Sequence, residues 1–342
     1  MKQISYIGPL RHSVPATGRM EQPMATQILV SEVGLRDGLQ SIRTIMPTEA
    51  KKQWIAAEAE AGVREIEVGS FVPAKLLPQL ADTAEIVAFA RSLPGLTVAA
   101  LVPNFRGAQD AVAAGVHKMS LPMSASETHS IANLRRSHAQ VLDEIARISD
   151  WLAGIPADER PKFEVGLATA FGCSLEGHVP EEKVLELARK AIDRGAAEVG
   201  LSDTTGSANP AQVRRLIALV REEVGEDRLT GVHLHNTRGL GLANALAALD
   251  MGITTLDSSL GGIGGCPAAP GASGNIVTED LVFMLNSMGF ETGIDIQKLL
   301  SVRELVRSAL PGENLYGFTP DAGLPKGHTG GAWGMEVTQR PT

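Results

Sequence analysis

Alternation constrains this chain more than any other feature. From residue 28 onward, short β-branched runs alternate with longer Ala-, Leu- and Glu-rich stretches of helical period. Eight runs read as strands: residues 28–33, 65–68, 97–102, 116–121, 162–168, 198–202, 230–235 and 253–258. Most are nearly continuous in apolar residues, as parallel strands covered on both faces should be. Between them the spacing predicts helices over 48–61, 82–91, 106–114, 131–152, 181–194, 210–223 and 240–251. Four junctions, Gly62-Val63, Gly115-Val116, Gly195-Ala196 and Gly252-Ile253, each close a helix and lead into a strand. Glycine accepts the left-handed conformation that ends a helix, and the next apolar residue can start the strand. Their unequal spacing excludes a solenoid of fixed repeat.

Eight strand–helix units fit a (β/α)₈ TIM barrel, which takes about 250 residues. The competitor is an open, doubly wound sheet with a phosphate fingerprint after its first strand. Neither Gly239-Leu240-Gly241 nor the glycine run at 261–265 matches G-x-G-x-x-G, and there is no P-loop. The expected organisation is an N-terminal extension over 1–26, a catalytic barrel over 27–290, and a C-terminal helical and loop cap with its tail over 291–342. Helices are predicted over 278–288 and 296–310.

The 342 residues carry a formal charge of −8, which argues against a sequence-independent nucleic-acid binder, since neutralising phosphates takes clustered Lys and Arg. No apolar run approaches the roughly 18 residues of a membrane span. The two cysteines, Cys173 and Cys266, allow at most one disulfide, so an oxidised secreted scaffold is excluded. The expected compartment is the cytoplasm. Lys2, Arg11 and Arg19 against a lone Glu21 in the first 26 residues leave a mitochondrial-matrix leader as the alternative. A homo-oligomer is expected, a dimer first.

Reactive groups of such barrels gather at the C-terminal ends of strands. The first strand ends in Glu32-Val33-Gly34-Leu35-Arg36-Asp37-Gly38-Leu39-Gln40, the second carries Glu67, and the sixth ends at Asp203. The seventh carries His233-Leu234-His235-Asn236, and the eighth ends in Asp257-Ser258-Ser259. Residues i and i+2 of a strand share a face, so His233 and His235 stand about 7 Å apart, within reach of one ion. Two hydrogen-bonded core histidines would give the same pattern; Asp37 on the same rim favours the ion. Imidazole and carboxylate donors without thiolates suit Mg²⁺ or Mn²⁺, with Zn²⁺ or Co²⁺ as alternatives. Cys266 lies in a glycine-dense run closed by Asn275. It reads either as a small buried hydrophobe or as a thiol brought over a substrate, and Asn275 either as packing or as an amide donor to the metal. Cys173, after the fifth strand, reads as packing.

Taken together, the first of these motifs, His233-Leu234-His235 and Gly264-Gly265-Cys266-Pro267 with Gly271-Ala272-Ser273-Gly274-Asn275 resemble the 3-hydroxy-3-methylglutaryl-CoA lyase family. More broadly they resemble the metallolyases that share an Asp-Arg-Glu site on a TIM barrel of pyruvate-carboxyltransferase type. The likeness covers residues 28 to 289. It implies a divalent-metal lyase that splits an acyl-CoA substrate by retro-Claisen chemistry, 3-hydroxy-3-methylglutaryl-CoA giving acetyl-CoA and acetoacetate. A related substrate such as citramalyl-CoA is the first alternative, and a Claisen-condensing synthase of the isopropylmalate type the second. The resemblance makes Asp37, His233, His235 and Asn275 metal ligands, Arg36 the catalytic cation and Cys266 the catalytic acid. Glu67 and Asp203 match the family's further acidic residues, and Asp203 or His233 takes the hydroxyl proton. The chain departs from the family pattern at Leu35 and Arg238, in the tail from residue 317, and at Asn236, where an Asp behind the ligating His235 would be usual.

Overall fold

A computed structural model describes residues 26–264 and 274–328. Eight parallel strands close on themselves in chain order: β1 (Leu29–Glu32), β2 (Glu65–Ser70), β3 (Thr97–Leu101), β4 (Lys118–Ser124), β5 (Lys162–Ala168), β6 (Glu198–Asp203), β7 (Gly231–Leu234) and β8 (Thr255–Ser258). Closure is direct, because β8 pairs with β1 over the register Leu29↔Thr255 to Glu32↔Ser258. The helices that return the chain are α1 (Thr48–Ala61), α2 (Thr83–Ala90), α3 (Phe105–Ala114), α4 (Glu127–Leu134), α5 (His138–Ala153), α6 (Glu181–Asp193), α7 (Pro210–Val224) and α8 (Gly241–Asp250). Beyond β8 come α9 (Thr278–Ser287), α10 (Ile296–Ala309) and the short α11 (Phe318–Ala322); α10 lies against α1, and α11 against α9.

All four junction glycines have positive φ, as expected. At Gly62 the constraint is also steric, since a Cβ there would lie 2.1 Å from the Gly293 carbonyl oxygen. The helix predicted over 131–152 is two helices. Arg135 takes a left-handed φ of 55°, and Ser137 then starts α5 with a capping box, its hydroxyl accepting from Gln140 N–H while the Gln140 side chain accepts from Ser137 N–H. That reciprocal pair satisfies donors that a continuous helix would have bonded internally.

Aliphatic side chains such as Ile66, Val98, Met119 and Val165 point outward under the helices and are buried there. The lumen is polar. At its N-terminal end the Lys118 ammonium sits 2.7 Å from Glu164, 3.5 Å from Glu65 and 3.6 Å from Glu198. This ionic plug closes one end and leaves the other for chemistry.

Candidate active site

The first strand does not run straight into a loop. Residues Gly34–Gly38 form a π-helical turn in which the Val33 carbonyl accepts from the N–H groups of Arg36, Asp37 and Gly38. Such single wide turns recur at functional sites because they re-aim side chains. Here the turn sends Arg36 and Asp37 over the barrel mouth. Arg36 donates through Nε to Glu67 Oε2 and through Nη1, at 2.7 Å, to Asp37 Oδ1. Glu67 faces inward from β2 and is itself held by the Ser120 hydroxyl at 2.8 Å. Burial opposes the charge on Arg36, but the Glu67 and Asp37 carboxylates outweigh it and hold the guanidinium firmly protonated.

Asp37 is the hub. Its Oδ1 also accepts from Gln40 Nε2 at 2.8 Å, and its Oδ2 accepts from Asn275 Nδ2 at 2.8 Å. The same Oδ2 lies 3.9 Å from His233 Nε2 and 3.9 Å from His235 Nε2. Burial alone would raise the Asp37 carboxyl, yet Arg36 and the two imidazoles outweigh it and keep it well below the usual carboxylate range. His233 points into the lumen from β7, and His235 follows the strand end, bridged to Asn275. Their Nε2 atoms face each other at 3.0 Å. Asp37, His233 and His235 each bring one ligand atom within 4.8 Å of the others.

The two histidines are unequal. Burial pulls His233 down, but its Nδ1 contact to Asp257 Oδ2 at 3.1 Å and the Asp37 charge outweigh it and raise it. His235 is pushed down to about 4 by burial and then by His233. A neutral imidazole is the form that ligates metal. His235 Nδ1 is buried and finds no hydrogen-bond partner among the described residues. A carboxylate and two converging imidazoles, one of them kept neutral, fit a divalent cation of the harder or borderline kind. The Asn275 amide, as placed, donates to Asp37 and, at 3.2 Å, to the Ile263 carbonyl.

Asp203, at the end of β6, is not one of the three grouped ligand candidates, but its charge bears on His233. Its two oxygens accept the N–H groups of Ser207 at 2.8 Å and Ala208 at 3.1 Å, shaping the turn after β6, and burial raises it. Cys266 lies outside the described residues. The chain on either side of it is anchored at the site: Gly264, at φ 111°, packs so closely that a Cβ would meet Asn275 Nδ2 at 2.7 Å, and Asn236 N–H donates to the Gly274 carbonyl at 2.7 Å. Cys173 is buried and bonds Ser126 Oγ at 3.2 Å, the packing role expected of it. Asn236 does not stand behind His235; its Oδ1 accepts from Gly241 N–H at the start of α8. Arg238 clamps the turn after β6 through the Thr205 and Gly206 carbonyls. From the sequence alone no role was given to Gln40, Ser120 or Asp257, although Asp257 was named as an acid at a strand end.

The HMGL-like family model matches residues 27–306. The chain belongs to the HMG-CoA lyase family. It is 39% identical over 300 residues to the hydroxymethylglutaryl-CoA lyase YngG of Bacillus subtilis, covering 86% of this chain and 99% of that protein. To the mitochondrial hydroxymethylglutaryl-CoA lyase of Gallus gallus it is 39% identical over 284 residues, covering 83% of this chain and 94% of that one. Among solved structures, an HMG-CoA lyase from Acinetobacter baumannii in complex with coenzyme A and 3-methylmalate superposes with a TM-score of 0.81 at 39% identity, over 88% of this chain and 97% of the other. The carboxyl transferase domain of Rhizobium etli pyruvate carboxylase, at 18% identity and a TM-score of 0.65, shares the fold. HMG-CoA lyase family membership thus joins the barrel, the Asp37 turn and the paired histidines in one frame.

Proposed function

We propose that this chain cleaves 3-hydroxy-3-methylglutaryl-CoA to acetyl-CoA and acetoacetate. The observation that carries the reading is the convergence of Asp37, His233 and His235 on one rim beside a guanidinium fixed by Glu67. Family membership and the names of the relatives support it. A divalent cation, Mg²⁺ or Mn²⁺ with Zn²⁺ or Co²⁺ as alternatives, would be held by Asp37, His233 and His235, with the Asn275 amide completing the set. When bound, it would supply Lewis acidity that makes the substrate hydroxyl easier to deprotonate.

The residues of the chain do the rest. His233 has its Nδ1 engaged by Asp257, and its Nε2, facing His235, would be taken up by the ion, which leaves Asp203, raised by burial, to take the hydroxyl proton. The C2–C3 bond then breaks: the hydroxyl oxygen becomes the ketone of acetoacetate, and the bonding pair moves into the thioester enolate. Arg36 stabilises the charge on the enolate oxygen, and Glu67 acts through Arg36 by fixing it; a donor so placed is worth about 3–4 kcal/mol. The Cys266 thiol protonates the enolate carbon, and the proton on Asp203 later restores the thiol, so none is gained or lost overall. The proposed assembly is a homodimer. The proposed compartment is the cytoplasm, supported by the sparse cysteines; among the described residues no helix is long and apolar enough to cross a membrane.

The test is a panel of branched 3-hydroxyacyl-CoAs assayed for acetyl-CoA release with added Mg²⁺ or Mn²⁺. Release from 3-hydroxy-3-methylglutaryl-CoA is expected. Faster release from citramalyl-CoA, one methylene shorter, would move the substrate, and silence across the panel would end the lyase reading.

A further inference from the structure

We propose that Asp257 is the positioning residue that sets the tautomer of His233 and thereby readies its Nε2 lone pair for the cation. The proposal rests on the metal-dependent reading above. His233 and Asp257 are register partners on β7 and β8, which are adjacent in the closed sheet. In both strands the alternation is the same: Val232 and Leu234, like Leu256 and Ser258, are buried under the helices, while His233 and Asp257 face the lumen. Closure of the barrel therefore brings this carboxylate to this ring, and Oδ2 meets Nδ1 at 3.1 Å.

A neutral imidazole carries one N–H, and either nitrogen can hold it. A carboxylate without a proton can only accept, so Asp257 draws that N–H to Nδ1. The lone pair then lies on Nε2, which faces His235 Nε2 at 3.0 Å and Asp37 Oδ2 at 3.9 Å. The competing tautomer is close at hand: with the proton on Nε2, His233 would donate to His235 or Asp37 and occupy the place where a cation must approach. Asp257 removes that alternative. His235 has no counterpart, since its Nδ1 is buried without a partner among the described residues. The order of the ligand set therefore depends on the one histidine that is pinned. Asp257 also bears electrostatically on Arg36, so its charge belongs to the same constellation.

The experiment compares wild type, Asp257→Asn and Asp257→Ala, each first shown to share the wild-type circular dichroism spectrum. Mn²⁺ affinity is read by electron paramagnetic resonance titration, and the histidine tautomers by two-bond ¹H–¹⁵N correlation in the Mg²⁺-loaded protein. Wild type should bind Mn²⁺ and show His233 protonated at Nδ1. Asp257→Ala should weaken Mn²⁺ binding about 10–100-fold. Asp257→Asn, whose amide oxygen still accepts from Nδ1–H, should fall between, and turnover at saturating Mn²⁺ should suffer less than affinity. Equal Mn²⁺ affinity in all three proteins, or a proton on Nε2 of His233 in the loaded wild type, overturns the proposal. Wild type without Mn²⁺ affinity overturns the metal reading beneath it instead, and this proposal with it.

Discussion

Arg36, Asp37 and the histidine pair do their work through contacts that single substitutions can remove one at a time. In the proposed site His235 offers the ion a neutral nitrogen, and among the described residues it holds no hydrogen bond through Nδ1, so His235→Ala should cost the ion while leaving the barrel folded. Metal stoichiometry after gel filtration checks this, and an unchanged ratio would count against ligation. Cys266 supplies a proton to carbon in the proposed reaction. A serine hydroxyl is a far weaker acid, so Cys266→Ser should lower turnover about 10²–10⁴-fold with metal content intact. Near-normal turnover would remove the thiol from the mechanism. The types and spacing of Asp37, His233 and His235 were readable in the sequence because a strand places i and i+2 on one face. That Glu67 would grip Arg36, and Asp257 the His233 ring, was not readable, because each pair lies on different strands.

At the scale of elements, the seam between β1, α1 and α9 buries more acid than base. Glu32 accepts from Gly34 N–H at 2.7 Å, from Leu260 N–H at 3.0 Å and from the Thr278 hydroxyl at 2.6 Å, yet burial pushes it up to about 8. Glu58 on α1 is wholly buried beside the Trp54 indole, and burial, then the Glu32 charge, raises it well above its ordinary value. Glu279 on α9 is raised by burial despite its 2.9 Å contact with Arg303 from α10. A carboxyl whose folded value exceeds its unfolded value holds its proton longer in the native state. Its stabilising contribution is full below the unfolded value near 4.5 and is lost as pH rises towards the folded value, about 8 for Glu32. Glu58→Gln keeps the shape and removes the titration, so it should raise Tm at pH 8 by a few degrees and flatten the decline in stability between pH 5 and 8. Calorimetric scans across that range decide it; a lower Tm at pH 8 would contradict the argument. The break between α4 and α5 belongs to this scale too: Ser137 and Gln140 carried its capping signal in the sequence, but helical periodicity on both sides masked it.

For the whole molecule, closure is the event on which function depends. Parallel pairing around eight strands sets Lys118 among three carboxylates at one end and the Asp37, His233 and His235 group at the other. Lys118→Met should leave those acids buried without their shared cation and cost about 3–5 kcal/mol. Chemical denaturation measures the loss, and an unchanged midpoint would show that the plug contributes nothing. The sequence by itself determined the eight-unit alternation and which side chains are proposed as ligands, because periodicity and strand-face geometry are properties of near neighbours. The tertiary structure alone decided which of those side chains meet. Asp37 and Asn275 lie 238 residues apart and His233 and Asp257 lie 24 apart, and their contacts exist only because the sheet closes in one register. Local pattern carries no information about register across a closed sheet, since a strand shifted by two residues presents the same face with different partners.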